Sequence, residues 1–224
     1  DTISLATRWQ VVATERNTAT AKILRHNLGV YGLMDQVDLI EDDIQNLLGD
    51  ADFRQRIEGI DAVFFDPSRR PGGRRTPHTE AYEPPLSFAK RLLGLSPNLC
   101  VKIGPTVELA ALDYDCDIEV ISYKGEVRDT VLWFGGFKAD PAGRRRLATK
   151  LPERLTWERP ELREEKAAVA VAAAPAAFLY EPDPVFIKAG MVDDLARRYD
   201  LNLLESRLAY LTGERHVKDP ALKC

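Results

Sequence analysis

The chain has 224 residues, 45% of them hydrophobic and 29% charged, with a formal net charge of -4. That balance suits one large domain, or one plus a small annex, and excludes a disordered polymer; it also argues against nucleic-acid binding through bulk charge, although a local basic patch can still grip phosphate. Cys100, Cys116 and Cys224 are odd in number and lack C-x-x-C spacing, which speaks against a disulfide framework or zinc knuckle and for a reducing cytoplasm.

The opening, "DTISLATRWQVVATERN", reads as the tail of an amphipathic helix followed by a strand over Gln10 to Glu15, so an α/β unit is entered midway. From Gln10 to about Phe137 short apolar runs alternate with helical stretches, the pattern of a mainly parallel sheet covered by helices. Strands are predicted at Gln10 to Glu15, Val37 to Glu41, Ala62 to Phe65, Leu99 to Ile103, Ile118 to Ser122 and Thr130 to Phe134. Thr18 to Tyr31 forms a helix with Ala21, Leu24 and Leu28 on one stripe and Gly32 as its stop. The last two strands are too close for a helical crossover and pair antiparallel. Lys138 to Lys166 is charged and Pro-punctuated, read as a linker with short ordered pieces. Residues 167–224 read as a second, smaller α+β domain, incomplete at its end, with a helix from about Pro184 to Tyr199. No apolar run is long enough to cross a membrane, and no signal pattern opens the chain.

In an open parallel sheet, ligands sit outside the carboxyl ends of the strands. Those ends are acidic here: Glu15, then Asp42 and Asp43, then Asp66. A carboxylate can accept both hydroxyls of a ribose, and Asp43 could accept from an exocyclic amine, though such acids also cap helices or face solvent. In "AVFFDPSRRPGGRR" a strand delivers Asp66 and Pro67, with proline fixing the exit. Arg69, Arg70, Arg74 and Arg75 around Gly72 and Gly73 then form either a phosphate-binding fork or a solvated loop. Lys102, a strand lysine that needs a partner, is matched with Asp66. Trp133, Trp157 and Tyr210 read as packing residues. His26, His78 and His216 are scattered, so no metal is expected.

Glu15 after "QVVATE", the helix "TATAKILRHNLGVYG", the strand "VDLIEDD", the turn "FFDPSRR" and the closing hairpin resemble a class I S-adenosylmethionine-dependent methyltransferase. "DPSRRPGGRR" with "FLYEPDPVFIKAGMVDDLARRYDL" and "RLAYLTGERHV" is similar to a bacterial group of RNA methyltransferases with a C-terminal THUMP-like domain. The resemblance implies a Rossmann-like sheet, S-adenosylmethionine as cofactor and RNA as substrate. It implies Glu15 on the ribose with Arg16 beside the adenine, Asp43 on the adenine amine with Ile44 against the ring, and Asp66 and Pro67 holding the nucleophile. Ser68 and Arg69 depart from the (Asp/Asn)-Pro-Pro-(aromatic) motif of related amino-methyltransferases and remove a stacking ring. The resemblance also implies that the first strand and a glycine-rich loop precede Asp1, so the expectation is an inactive fragment whose open sheet edge can dimerise. The alternative is a non-catalytic nucleic-acid-binding module on a degenerate methyltransferase-like domain. A dehydrogenase is disfavoured by the closing hairpin.

Overall fold

In the computed structural model, residues 1–140, 143–160 and 168–224 are described, and they fall into two compact units, Asp1–Ile60 and Asp61–Cys224. In the first unit α1 (Thr2–Ala6) leads to β1 (Val11–Thr14), α2 (Thr18–Val30), β2 (Val37–Ile40), α3 (Ile44–Leu47) and α4 (Ala51–Arg56). Strands β1 and β2 pair in parallel, Val11 opposite Val37 through Thr14 opposite Ile40. The start of α2 follows from its cap: Asn17 accepts from the Thr20 N–H at 3.0 Å, satisfying one of the orphan donors of a helix N-terminus. Ala21 and Leu28 carry its buried stripe, and Gly32 follows at φ +66, where a residue with no Cβ turns the chain at no steric cost.

The second unit runs β3 (Val63–Phe65), α5 (Ala89–Leu92), β4 (Leu99–Ile103), β5 (Asp117–Tyr123), β6 (Glu126–Trp133), β7 (Arg145–Leu151) and β8 (Leu155–Pro160). Their order in one sheet is β3-β4-β6-β5-β7-β8. β3 is parallel to β4, and β5 and β6 form the antiparallel hairpin expected of a connection too short for a crossover. The core lies under β4 and β5, where Leu99, Val101, Ile103, Ile118 and Val120 are buried.

Two expectations are corrected. Of the stretch 138–166, read as a linker with short ordered pieces, Arg145 to Pro160 is continuous with the sheet: β7 lies parallel to β5 and antiparallel to β8. The reading failed because β7, "RRLATKL", buries only Ala148 completely and leaves its long basic side chains half-covered, so their aliphatic stems take the place of apolar residues. The 161–166 part of that linker lies outside the described residues. The helix predicted from Pro184 to Tyr199 is two helices, α6 (Pro184–Lys188) and α7 (Val192–Tyr199), separated at Gly190, whose φ of +67 no helix accommodates.

The remaining strands, β9 (Phe178–Pro182), β10 (Asn202–Glu205), β11 (Leu208–Gly213) and β12 (Leu222–Lys223), form a four-stranded sheet in the order β10-β11-β9-β12. It belongs to the same compact unit as the six-stranded sheet. Helix α6 explains why: it packs against β5, β6 and β7, with Val185 and Phe186 fully buried and the Phe186 ring edge-on to Trp157 at 5.4 Å.

Candidate functional site

In the first unit the parallel register carries the residues after β1 and β2 to the same end of the sheet. The Glu15 N–H continues the ladder to Ile40 O at 3.0 Å, so Glu15 leaves β1 level with the end of β2. Its carboxylate is half-buried and uses Oε1 to accept the Asn17 N–H at 2.8 Å. Asp43 caps α3 by accepting the Gln45 N–H at 2.9 Å, and its other oxygen lies 3.5 Å from Arg16 Nη1. Ile44, half-buried, is the first residue of that helix. Glu15, Arg16, Asp43 and Ile44 thus gather at one strand end. Helix capping and ligand binding are compatible for these acids, because a carboxylate has about four lone-pair positions and each local bond uses one.

In the second unit β3 ends at Phe65, and Asp66 follows with its carboxylate 3.7 Å from Lys102 Nζ on β4, the pairing expected for that strand lysine. Pro67 is buried. Beyond it the chain makes a closed loop: Ser68 and Glu83 exchange backbone hydrogen bonds of 2.9 and 3.0 Å, and the Thr76 N–H donates to Arg69 O at 3.1 Å. Gly72 and Gly73, at φ +60 and +85, supply the left-handed turn at the tip. Arg70, Arg74 and Arg75 are exposed there.

Arg69 does not join them. Its guanidinium turns back to Asp129 Oδ1 on β6 at 3.4 Å and to the carbonyl of Ile103 at 3.5 Å. Beside it Tyr82, only 2% exposed, accepts the Gly104 N–H at 3.3 Å. Burial is the main reason its phenol titrates above the ordinary range, a rise opposed by the Gly104 bond and the Arg69 charge. A Cβ at Gly104 would lie 3.1 Å from the Tyr82 hydroxyl, a tight approach, and 3.5 Å from Arg69 Cδ, an ordinary contact, so the three residues are close neighbours. Asp129, Tyr82 and Gly104 were not legible as site neighbours. Asp129 stands 60 positions from Arg69 and Gly104 stands 22 from Tyr82, and no local pattern encodes such separations.

Trp133 donates its indole N–H to Glu119 at 2.9 Å, and Trp157 stacks beneath Arg198 at 4.9 Å, so both indoles are engaged within the fold. Cys100 and Cys116 are 7% and 0% exposed, and burial, the first cause in each case, pushes both thiols up to about 12. Cys224 is exposed. Because the thiolate is the reactive species, one thiol per chain should react rapidly with an aromatic disulfide reagent near pH 8 and the other two only after denaturation. Absorbance of the released thiolate counts them, and rapid reaction of all three would show that the buried pair is accessible.

Among the described residues no group of three or more His, Cys, Asp or Glu side chains is placed to hold a metal, and no helix is long and apolar enough to cross a membrane. No protein-family model matches the chain. It is 29% identical over 218 residues to an uncharacterized S-adenosylmethionine-dependent methyltransferase of Mycobacterium tuberculosis strain H37Rv, and equally to its counterpart in strain CDC 1551. In both cases the match covers 96% of this chain and 55% of the relative, so the chain spans about half the length of these proteins. The fold is shared with a crystal structure described as a "putative methyltransferase from Porphyromonas gingivalis W83", with a TM-score of 0.79 at 22% identity, covering 97% of this chain and 55% of that one.

Proposed function

We propose that the chain is part of an S-adenosylmethionine-dependent methyltransferase that acts on RNA. The observation that carries the reading is the gathering of Glu15, Arg16, Asp43 and Ile44 at one strand end of a fold shared with a methyltransferase-named structure. The names of the M. tuberculosis relatives support the cofactor. Glu15 would accept from the ribose hydroxyls, with Arg16 beside the adenine, and Asp43 from the adenine amine, with Ile44 against the ring. Asp66 and the Pro67 carbonyl would align the nucleophile. The nucleophile's lone pair attacks the sulfonium methyl in line, the sulfur–methyl bond breaks to leave S-adenosylhomocysteine, and the nucleophile gives up one proton; alignment is the protein's main contribution. The exposed Arg70, Arg74 and Arg75 support a nucleic-acid substrate, since guanidiniums match phosphate oxygens with paired donors.

The reading extends to three further features. The four-stranded sheet with α6 and α7 would be a THUMP-like RNA-contacting part. The open edges of β1 and β3, each paired on one side only among the described residues, would accept a further strand or a second copy. The 224 residues contain no G-x-G segment, so on their own they would hold the nucleoside end of the cofactor, lack a glycine loop for its methionine end, and transfer no methyl group. The test is transfer of labelled methyl from S-adenosylmethionine to total RNA by the protein purified from its own cells, followed by nucleoside analysis. Label in a modified nucleoside is the expected result. Label only in protein or small molecules would overturn the substrate, and RNA bound without transfer would favour a non-catalytic binding module.

A further inference from the structure

We propose that Arg69 is a positioning residue: a latch that pins the arginine loop to the end of the six-stranded sheet, so that the Asp66–Ser68 turn is held and Arg70, Arg74 and Arg75 are presented together. The inference rests on the functional reading above for what the loop contacts, and on geometry alone for the latch.

Arg69 stands immediately after the backbone pair Ser68 and Glu83, where the loop closes. Its guanidinium spans two strands of the sheet at once, the Ile103 carbonyl at the end of β4 and Asp129 on β6. Both partners of the ion pair are only 26% exposed in their side chains, so the pair is shielded compared with a surface contact. Tyr82 closes the other side of the same neck from the loop's far stem, fully packed, with its hydroxyl on the Gly104 N–H. Gly104 has no side chain, and any Cβ there would meet both Tyr82 and Arg69. Arg69, Tyr82 and Gly104 therefore meet at one point, and that point also adjoins Lys102, which faces Asp66. The tip above it holds three exposed arginines whose mutual repulsion opposes a fixed arrangement. A braced neck keeps them together without help from a ligand, which lowers the ordering cost of binding.

A latch differs from a phosphate contact in what it does to salt dependence. Each phosphate contact adds about 0.7 to 0.9 to the slope of log affinity against log salt. Arg69→Ala should lower affinity for a mixed-sequence single-stranded RNA about fivefold and leave that slope unchanged, because the tip contacts persist but are no longer pre-ordered. The triple change of Arg70, Arg74 and Arg75 to alanine should reduce the slope by about 2 to 3. Arg69→Lys should fall between the parent and Arg69→Ala, since both contacts are made through the one nitrogen Nη1 and an ammonium keeps the charge but not the planar guanidinium that places it. Independently of any ligand, amide hydrogen exchange at Ser68, Thr76 and Glu83 should accelerate about tenfold in Arg69→Ala and in Asp129→Asn, with β4 amides unchanged as the control for global folding. Unchanged exchange at those three amides in both variants would overturn the latch, as would a slope that falls by one phosphate contact in Arg69→Ala. Accelerated exchange with a salt slope indifferent to the triple change would keep the latch and remove the RNA reading.

Discussion

Phe186→Ala should destabilise residues 61–224 by about 3 to 5 kcal/mol, the range for deleting a fully buried aromatic ring. The ring is 0% exposed, stands edge-on to Trp157, and sits on the helix that packs against β5, β6 and β7. Deleting it removes both transfer free energy and an aromatic pair, and it leaves a cavity that cannot collapse easily because Pro182 and Asp183 tether α6 on one side. Asp183 is itself only 9% exposed and lies 3.5 Å from Lys150 of β7, which also donates to Pro220 O at 2.6 Å, so the helix has little freedom to shift. The neighbouring Ile187, 45% exposed, provides the control: Ile187→Ala should cost about 1 kcal/mol or less. Denaturant melts followed by tryptophan fluorescence report the loss directly, since Trp157 is the ring's partner. The compact unit Asp1–Ile60 should melt as in the unaltered chain. A Phe186→Ala variant within about 1 kcal/mol of the parent would show that α6 does not key the four-stranded sheet to the six-stranded one.

The reach of sequence reasoning follows from which contacts are local. The strand Leu99 to Ile103 and the hairpin β5–β6 were legible because a short apolar run and a short connection are written in consecutive residues. Helix α2 was legible because its stripe and its stop lie within one segment. Strand β7 was not, because its pairing with β5 supplies what its own apolar content lacks. The same division runs through the candidate site. Acids at strand ends can be located from sequence, and the Lys102–Asp66 pair follows from two adjacent parallel strands. The separation of Arg69 from Arg70, Arg74 and Arg75 could not be read, because four like residues in one loop look alike until Asp129 on a distant strand claims one of them.

If the first unit binds adenosine as proposed, Glu15→Ala should remove that binding. If both ribose hydroxyls donate to this carboxylate, its loss costs about 2 to 3 kcal/mol, the scale of charge-assisted hydrogen bonds, or roughly 30- to 150-fold in affinity. The 224 residues alone, with no G-x-G segment for the methionine end, should bind S-adenosylmethionine with a dissociation constant of about 1 mM, against about 10 μM for a complete site, if the absent contacts are worth about 3 kcal/mol. Amide shifts at Glu15, Arg16, Asp43 and Ile44 during titration are the suitable measurement, because they report weak binding residue by residue. Adenosine should move the same amides as the full cofactor, since both present the ribose and the adenine amine. In Glu15→Ala the saturable shifts at Arg16, Asp43 and Ile44 should disappear from the accessible concentration range. The substitution also removes the acceptor of the Asn17 N–H, at 2.8 Å in the parent, and so could disturb the start of α2. Glu15→Gln separates the two effects, because its amide oxygen can keep the Asn17 bond while the charge is lost, so affinity should fall by less than in the alanine variant with α2 amides unshifted. Unchanged titration curves in Glu15→Ala would remove this carboxylate from the ribose, and micromolar binding by the unaltered chain would show that the pocket needs no glycine loop.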